Sequence, residues 1–143
     1  MLISIDGIDG CGKSTQVRML AERVGGRAIQ EISPSRWGQR LRGLENPTLA
    51  EQFAYFLADR VGLVPLLESA AGDAATHIVS DRSYLSTVAY QSYNSGFAPE
   101  FLEDVNRALV PAYDVMFVLD LPVDVAFGRI ESRGGPRDWC EKP

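Results

Sequence analysis

Histidine and cysteine are scarce in this chain. His77 is the only imidazole in 143 residues, and Cys11 and Cys140 are the only thiols. A single histidine rules out multi-histidine metal sites. Two cysteines without metal-type spacing make no disulfide framework, so both read as reduced thiols. A basic excess is also missing: Lys and Arg number 14 against 19 Asp and Glu, for a formal net charge of -5. Sequence-independent nucleic-acid binding needs a basic surface that displaces counterions from many phosphates, so no nucleic-acid partner is expected. A small anionic ligand needs only a local basic pocket. No apolar run approaches the roughly 20 residues of a membrane span. The apolar start is broken by Asp6 and carries no Lys/Arg leader, so it reads as a first strand rather than a signal peptide. The expectation is no membrane association and a cytoplasmic location.

What is present is an ordinary globular balance, with 45% hydrophobic and 23% charged residues. A chain this long can bury one sizeable core, so residues 1–143 are expected to form a single domain. Four apolar runs, Leu2 to Asp6, Arg27 to Ile32, His77 to Asp81 and Asp114 to Leu121, alternate with helical patterns, the rhythm of a parallel α/β sheet. Thr48 with Glu51 forms a capping-box pattern that opens a long helix running toward Gly72 and bending at Pro65. Its expected core stripe is Ala50, Ala54, Leu57, Val61 and Val64. Further helices are expected over Tyr84 to Tyr93, Pro99 to Val110 and Pro122 to Ser132. The Gly/Pro-rich, arginine-bearing tail from Arg133 reads as mobile.

Residues 7 to 15, Gly-Ile-Asp-Gly-Cys-Gly-Lys-Ser-Thr, match G-x-x-x-x-G-K-[ST] between the first strand and a helix. Gly7, Gly10 and Gly12 can take positive φ and bring backbone N-H groups close to a polyphosphate. The helix that follows presents its positive end. Ile8, Asp9, Cys11 and Thr15 complete the ATP cradle. Lys13 supplies a mobile charge for the β- and γ-phosphates, and Ser14 a hydroxyl oxygen for Mg²⁺. A phosphate loop alone does not separate kinases from other nucleotide hydrolases. A second anion site facing the first would, and Ser80-Asp-Arg-Ser-Tyr-Leu-Ser-Thr-Val-Ala-Tyr-Gln91 offers one: Asp81 ends a strand where a carboxylate can hold Mg²⁺ or its water. Arg82 adjoins it, and Ser86 and Tyr90 follow at four-residue steps.

With Asp9-Gly-Cys-Gly-Lys-Ser-Thr15, Phe56-Leu-Ala-Asp-Arg60, and Asp81-Arg82 followed by Ser86, Ala89, Tyr90 and Gln91, the chain resembles the thymidylate kinase family across most of its length and in the right order. The resemblance implies a P-loop NTPase three-layer α/β sandwich with a parallel sheet. It implies transfer of the ATP γ-phosphate to dTMP, giving dTDP, with Mg²⁺ as cofactor. Lys13, Arg82, Asp9 and Arg133 would be catalytic. Phe56 would stack on the base and Arg60 donate to its edge, although a core aromatic beside Phe53 and a surface Asp59–Arg60 ion pair satisfy the same positions. Arg82 would clamp the acceptor phosphate with Ser86, Thr87 and Arg36 near it. Tyr90 would lie against the sugar and disfavour a 2′-hydroxyl, or else simply pack half-buried. Arg129, Arg133 and Arg137 resemble arginines of a lid over ATP that begins near residue 133, and Glu141 resembles a metal-side carboxylate; an exposed charged tail explains them equally. Ser14, Asp81, Asp9 and Glu141 are thus the candidate metal residues.

Two departures qualify the resemblance. Ser83 stands where the family usually has an aromatic or histidine, as in deoxynucleoside kinases. Those enzymes need a carboxylate base just after the second strand, where only Glu31 is found. The family also continues past the lid with a fifth strand and an adenine loop, which do not follow Pro143. The expected sheet order is therefore 2-3-1-4 with the fifth, edge strand missing, leaving Asp114 to Leu121 an exposed apolar edge. Weak adenine binding and reduced kinase activity are expected of this length. The alternatives are a kinase of deoxynucleosides or other deoxynucleotides, and a non-catalytic nucleotide-binding fragment. The wide apolar stripe of the long helix leads to the expectation of a homodimer.

Overall fold

A computed structural model describes residues 1–134, apart from the side chains of residues 94 and 95. Strand β1 (Leu2–Gly7) leads through the phosphate loop into α1 (Lys13–Arg23) and β2 (Arg27–Gln30). Then come α2 (Arg36–Arg42), the long α3 (Leu49–Ala71), β3 (Ile78–Asp81), α4 (Tyr84–Ser95), α5 (Pro99–Leu109), β4 (Val115–Leu119) and α6 (Val123–Arg133). The strands form one sheet of order β2-β3-β1-β4, all neighbours parallel, as the sequence predicts. Among the described residues β4 is an edge, and Phe117 and Val118 on it are 48% and 65% exposed.

Helices cover both faces. On one, Ile3, Ile5 and Val79 pack with Val17 and Ala21 of α1. On the other, Leu2 and Ile78 pack with Leu67 and Ala70 of α3, Tyr84 of α4 and Val110. Burial on both faces explains why the two central strands, β1 and β3, read as continuous apolar runs rather than alternating ones. The runs overshoot, however: β2 stops at Gln30 and β4 spans only Val115–Leu119.

The capping box forms as expected, with the Thr48 hydroxyl accepting from Glu51 N and the Glu51 carboxylate accepting from Thr48 N. The expected core stripe of α3 holds only at Leu57 and Val64, which are half-buried, with Val64 packed against the core around Leu67. Ala50, Ala54 and Val61 are exposed, while the buried face carries Asp59, Arg60, Leu67 and Ala70. The helix turns a polar pair inward because its first half faces a cavity rather than a dry core.

Helix α2 went unforeseen: seven residues that include Gly38 give no periodic signal. Ser35 caps it, its hydroxyl accepting from Trp37 N and Gly38 N. A Cβ on Gly38 would lie 2.1 Å from the Ser33 carbonyl oxygen. Gly38→Ala must therefore push α2 off its own loop, and we expect a loss of about 1–3 kcal/mol, the usual penalty for overpacking. Urea unfolding checks this, and a parental midpoint would show that the loop yields freely.

Candidate active site

The phosphate loop owes its shape to the backbone. Gly10 (φ 82°) and Gly12 (φ 101°) are left-handed, a region open to glycine at no steric penalty. At Gly10 a Cβ would also meet the Ala126 carbonyl oxygen of α6 at 2.4 Å, so α6 and the loop press together through the missing side chain. Gly12 caps α1, whose first turn contains no acidic residue that would compete for an anion.

Lys13 is only 6% exposed. Its Nζ donates to the Ile8 carbonyl at 2.8 Å and lies 3.6 Å from Asp9 Oδ1. Burial first, and then repulsion from the Arg82 guanidinium, pull its pKa below the ordinary lysine value, while the Asp9 charge opposes them. Two cations held this close call for an anion.

Arg82 follows β3 directly, at a φ of 77° that is costly for a non-glycine residue by about 1–3 kcal/mol. Flanking bonds hold it there: Arg82 N donates to Ile5 O at 3.0 Å, and its carbonyl accepts from Ser80 Oγ at 2.7 Å. Because β1 and β3 are paired neighbours, the guanidinium turns toward the phosphate loop. Nη2 pairs with Asp9 Oδ1. Nη1 donates to Ser86 Oγ at 3.2 Å and approaches Gly7 O at 3.5 Å. The Tyr90 ring lies 5.7 Å from the guanidinium carbon, and its hydroxyl lies 3.4 Å from Asp9 Oδ2.

These groups open into a cavity of about 640 Å³. Of the residues singled out by sequence, Asp9, Gly10, Gly12, Lys13, Ser14, Thr15, Phe56, Arg60, Asp81, Arg82, Ser86, Thr87, Tyr90, Arg129 and Arg133 line it. Gly7, Ile8 and Cys11 belong to the loop but do not line the cavity; Cys11 is buried and Ile8 is exposed. Arg36 is not brought in: it opens α2, with its guanidinium over the Trp37 ring at 4.6 Å. Glu141 and Arg137, with the rest of the expected lid past Gly134, lie outside the described residues.

The cavity floor differs from the expected surface ion pair. Asp59 and Arg60 are each 2% exposed and point to different partners. Asp59 accepts from Ser33 N and from the Ser33 and Ser35 hydroxyls, pinning the loop before α2. Arg60 Nε donates to both Glu31 carboxylate oxygens, Nη2 to Glu31 and to Thr87 Oγ1, and Nη1 to Asn106 Oδ1. The Phe53 ring contacts Phe97 and Phe101 while Phe56 faces the cavity, so the two are not one core cluster. Sequence reasoning missed Arg42, which lines the cavity and donates to Ile32 O and Ser33 O, and Asn106, which is fully buried on α5. Neither belongs to a local motif.

Asp81 accepts from the Ser14 hydroxyl. A hydroxyl and a carboxylate oxygen at the mouth of a phosphate loop suit a hard cation that takes few protein ligands.

Comparison with known proteins agrees with this architecture. The sequence model described as thymidylate kinase matches residues 5–142. The chain belongs to the thymidylate kinase family. It is 37% identical to the thymidylate kinase of Akkermansia muciniphila, over 93% of this chain and 68% of that one. With the probable thymidylate kinase of Thermococcus kodakarensis it shares 35% identity, over 93% and 72%. The crystal structure of the Ehrlichia chaffeensis thymidylate kinase shares the fold, with a TM-score of 0.75 at 23% identity over 92% of this chain and 82% of that one. Membership makes the protein a kinase that carries out ATP-dependent phosphoryl transfer.

The buried Arg60–Glu31 pair should be needed by the fold as well as the site. Glu31→Ala strands a buried guanidinium, and we expect a loss of about 3 kcal/mol, read as a lower urea midpoint at constant slope. Parental stability would mean that water reaches the pair.

Proposed function

We propose that this family member transfers the γ-phosphoryl group of ATP to the phosphate of dTMP, giving ADP and dTDP. One observation carries the reading: a single carboxylate oxygen, Asp9 Oδ1, touches both the phosphate-loop ammonium and the Arg82 guanidinium. The two cations flank one anionic oxygen, which is the place a transferring phosphoryl group would take.

In this reading Lys13 and the loop amides hold the donor phosphates, and Arg82, joined by Arg42, holds the acceptor phosphate. Ser14 and Asp81 would hold Mg²⁺, which would supply charge neutralisation on the donor phosphates. Arg129 and Arg133 approach the donor side; Arg129 Nη1 lies 3.5 Å from Gly10 O. The attacking atom is an acceptor phosphate oxygen, already ionised at neutral pH. It forms the new O–P bond as the bond from the γ-phosphorus to the β,γ-bridging oxygen breaks, with no proton to remove. Catalysis is then alignment and charge neutralisation.

Phe56 would stack on the pyrimidine, and Arg60, with one Nη1 N–H left over from its bonds to Glu31, Thr87 and Asn106, would donate it to a carbonyl on the base edge. Tyr90 sits against the sugar. A hydroxyl acceptor is disfavoured, since it needs a general base and Glu31, the carboxylate just after β2, serves as the counter-ion of the buried Arg60. Among the described residues no helix is long and apolar enough to cross a membrane, which fits a cytoplasmic enzyme of nucleotide metabolism. The exposed apolar face of α3, with Ala50, Ala54 and Val61, is the proposed homodimer contact.

Titration calorimetry tests the acceptor site. Arg82→Ala should weaken dTMP binding by about ten- to a hundredfold, the weight of a charge-assisted contact, and leave thymidine unaffected. Equal dTMP affinity in variant and parent would remove Arg82 from the acceptor phosphate. For the assembly, Val61→Glu should convert a dimer to a monomer in light scattering after gel filtration; an unchanged mass would place any contact elsewhere.

A further inference from the structure

Asp6, on β1 beneath the phosphate loop, is only 3% exposed. Its Oδ1 accepts from Ser83 N at 3.0 Å and Ser86 Oγ at 2.9 Å. Its Oδ2 accepts from Ser83 Oγ at 2.7 Å and Ser4 Oγ at 3.1 Å. We infer that Asp6 is a positioning residue that aims Arg82 through Ser86, an inference that rests on the acceptor role proposed for Arg82.

A carboxylate only accepts, and a serine hydroxyl has a single proton to give. Ser86 spends that proton on Asp6, so it can only accept from its other neighbour, Arg82 Nη1, at 3.2 Å. The same carboxylate grips Ser83, the residue after Arg82 and the cap of α4, whose hydroxyl accepts from Leu85 N. Asp6 therefore fixes both the backbone just beyond Arg82 and the acceptor that orients its side chain. Without it, the Ser86 hydroxyl rotates freely and can turn its proton toward the guanidinium.

The test compares Asp6→Asn and Ser86→Ala in the parent and in an Arg82→Ala background. Each should weaken dTMP binding about tenfold in the parent, as expected for a hydrogen bond to a charged group. ATP affinity should hold, and in the Arg82→Ala background Asp6→Asn should have no further effect on dTMP. Equal weakening in both backgrounds, or a parallel loss of ATP affinity, would overturn the inference. Should Asp6→Asn fail to fold, Ser86→Ala decides alone, and unchanged dTMP affinity sinks the relay. The Arg82 guanidinium ¹⁵N–¹H signals provide a ligand-free readout: restrained in the parent, averaged by rotation in both variants. Failure of the parent to bind dTMP would count against the acceptor role, whereas signals equally restrained in parent and variants would count against Asp6.

Discussion

Two parallel strands, β1 and β3, lie side by side with Ile5 opposite Asp81, and the whole site follows from that register. Two residues past Ile5 the chain enters the phosphate loop; one residue past Asp81 it reaches Arg82. A shift of one residue would turn every side chain on the strand to the opposite face. The register is secured by hydrogen bonds from Ile78 N to Met1 O at one end and from Arg82 N to Ile5 O at the other. It is secured again by packing, since Ile3, Ile5 and Val79 share a core with α1.

Around this junction the interior is more polar than a dry core. Asp6, Asp59, Arg60, Ser83, Thr87, Gln91 and Asn106 are all buried. Replacing such networks with apolar residues often stabilises a protein, so their presence is weak evidence for stability. What they supply is orientation. Arg60 makes bonds in three directions, to Glu31, Thr87 and Asn106, and a guanidinium held that way has little freedom to reorient.

Local chemistry in the chain was legible from the sequence, and chemistry dependent on distant partners was not. The phosphate loop and the Thr48 capping box are recoverable because each is written in adjacent or regularly spaced residues, whereas the strand order followed from the family resemblance. The α3 stripe misled because hydrophobic periodicity finds the most apolar face, and the face turned inward here is the one that serves the cavity. The resemblance implies Arg36 near the acceptor phosphate, but α2 starts at that residue and carries Arg42 to the cavity instead. Asp6 read merely as an interruption in an apolar run. Its four hydrogen bonds come from three partners, Ser4, two residues earlier, and Ser83 and Ser86, 77 and 80 residues later, and no local pattern reports such a meeting.

Charge also bears on which molecules can enter. Lys13 and Arg82 repel each other in a site poorly screened by water, and Asp9 offsets that repulsion by contacting both. Any ligand that takes the place of Asp9 between them must bring at least as much negative charge, or it leaves two buried cations without a counter-ion. A phosphate meets that condition. A neutral nucleoside does not, because its hydroxyl competes with a carboxylate for charge-assisted bonds that are roughly twice as strong as neutral ones. On the proposed reading, the carboxylate inside the phosphate loop would set phosphorylated acceptors apart from neutral ones by electrostatics, before the shape of the base is read.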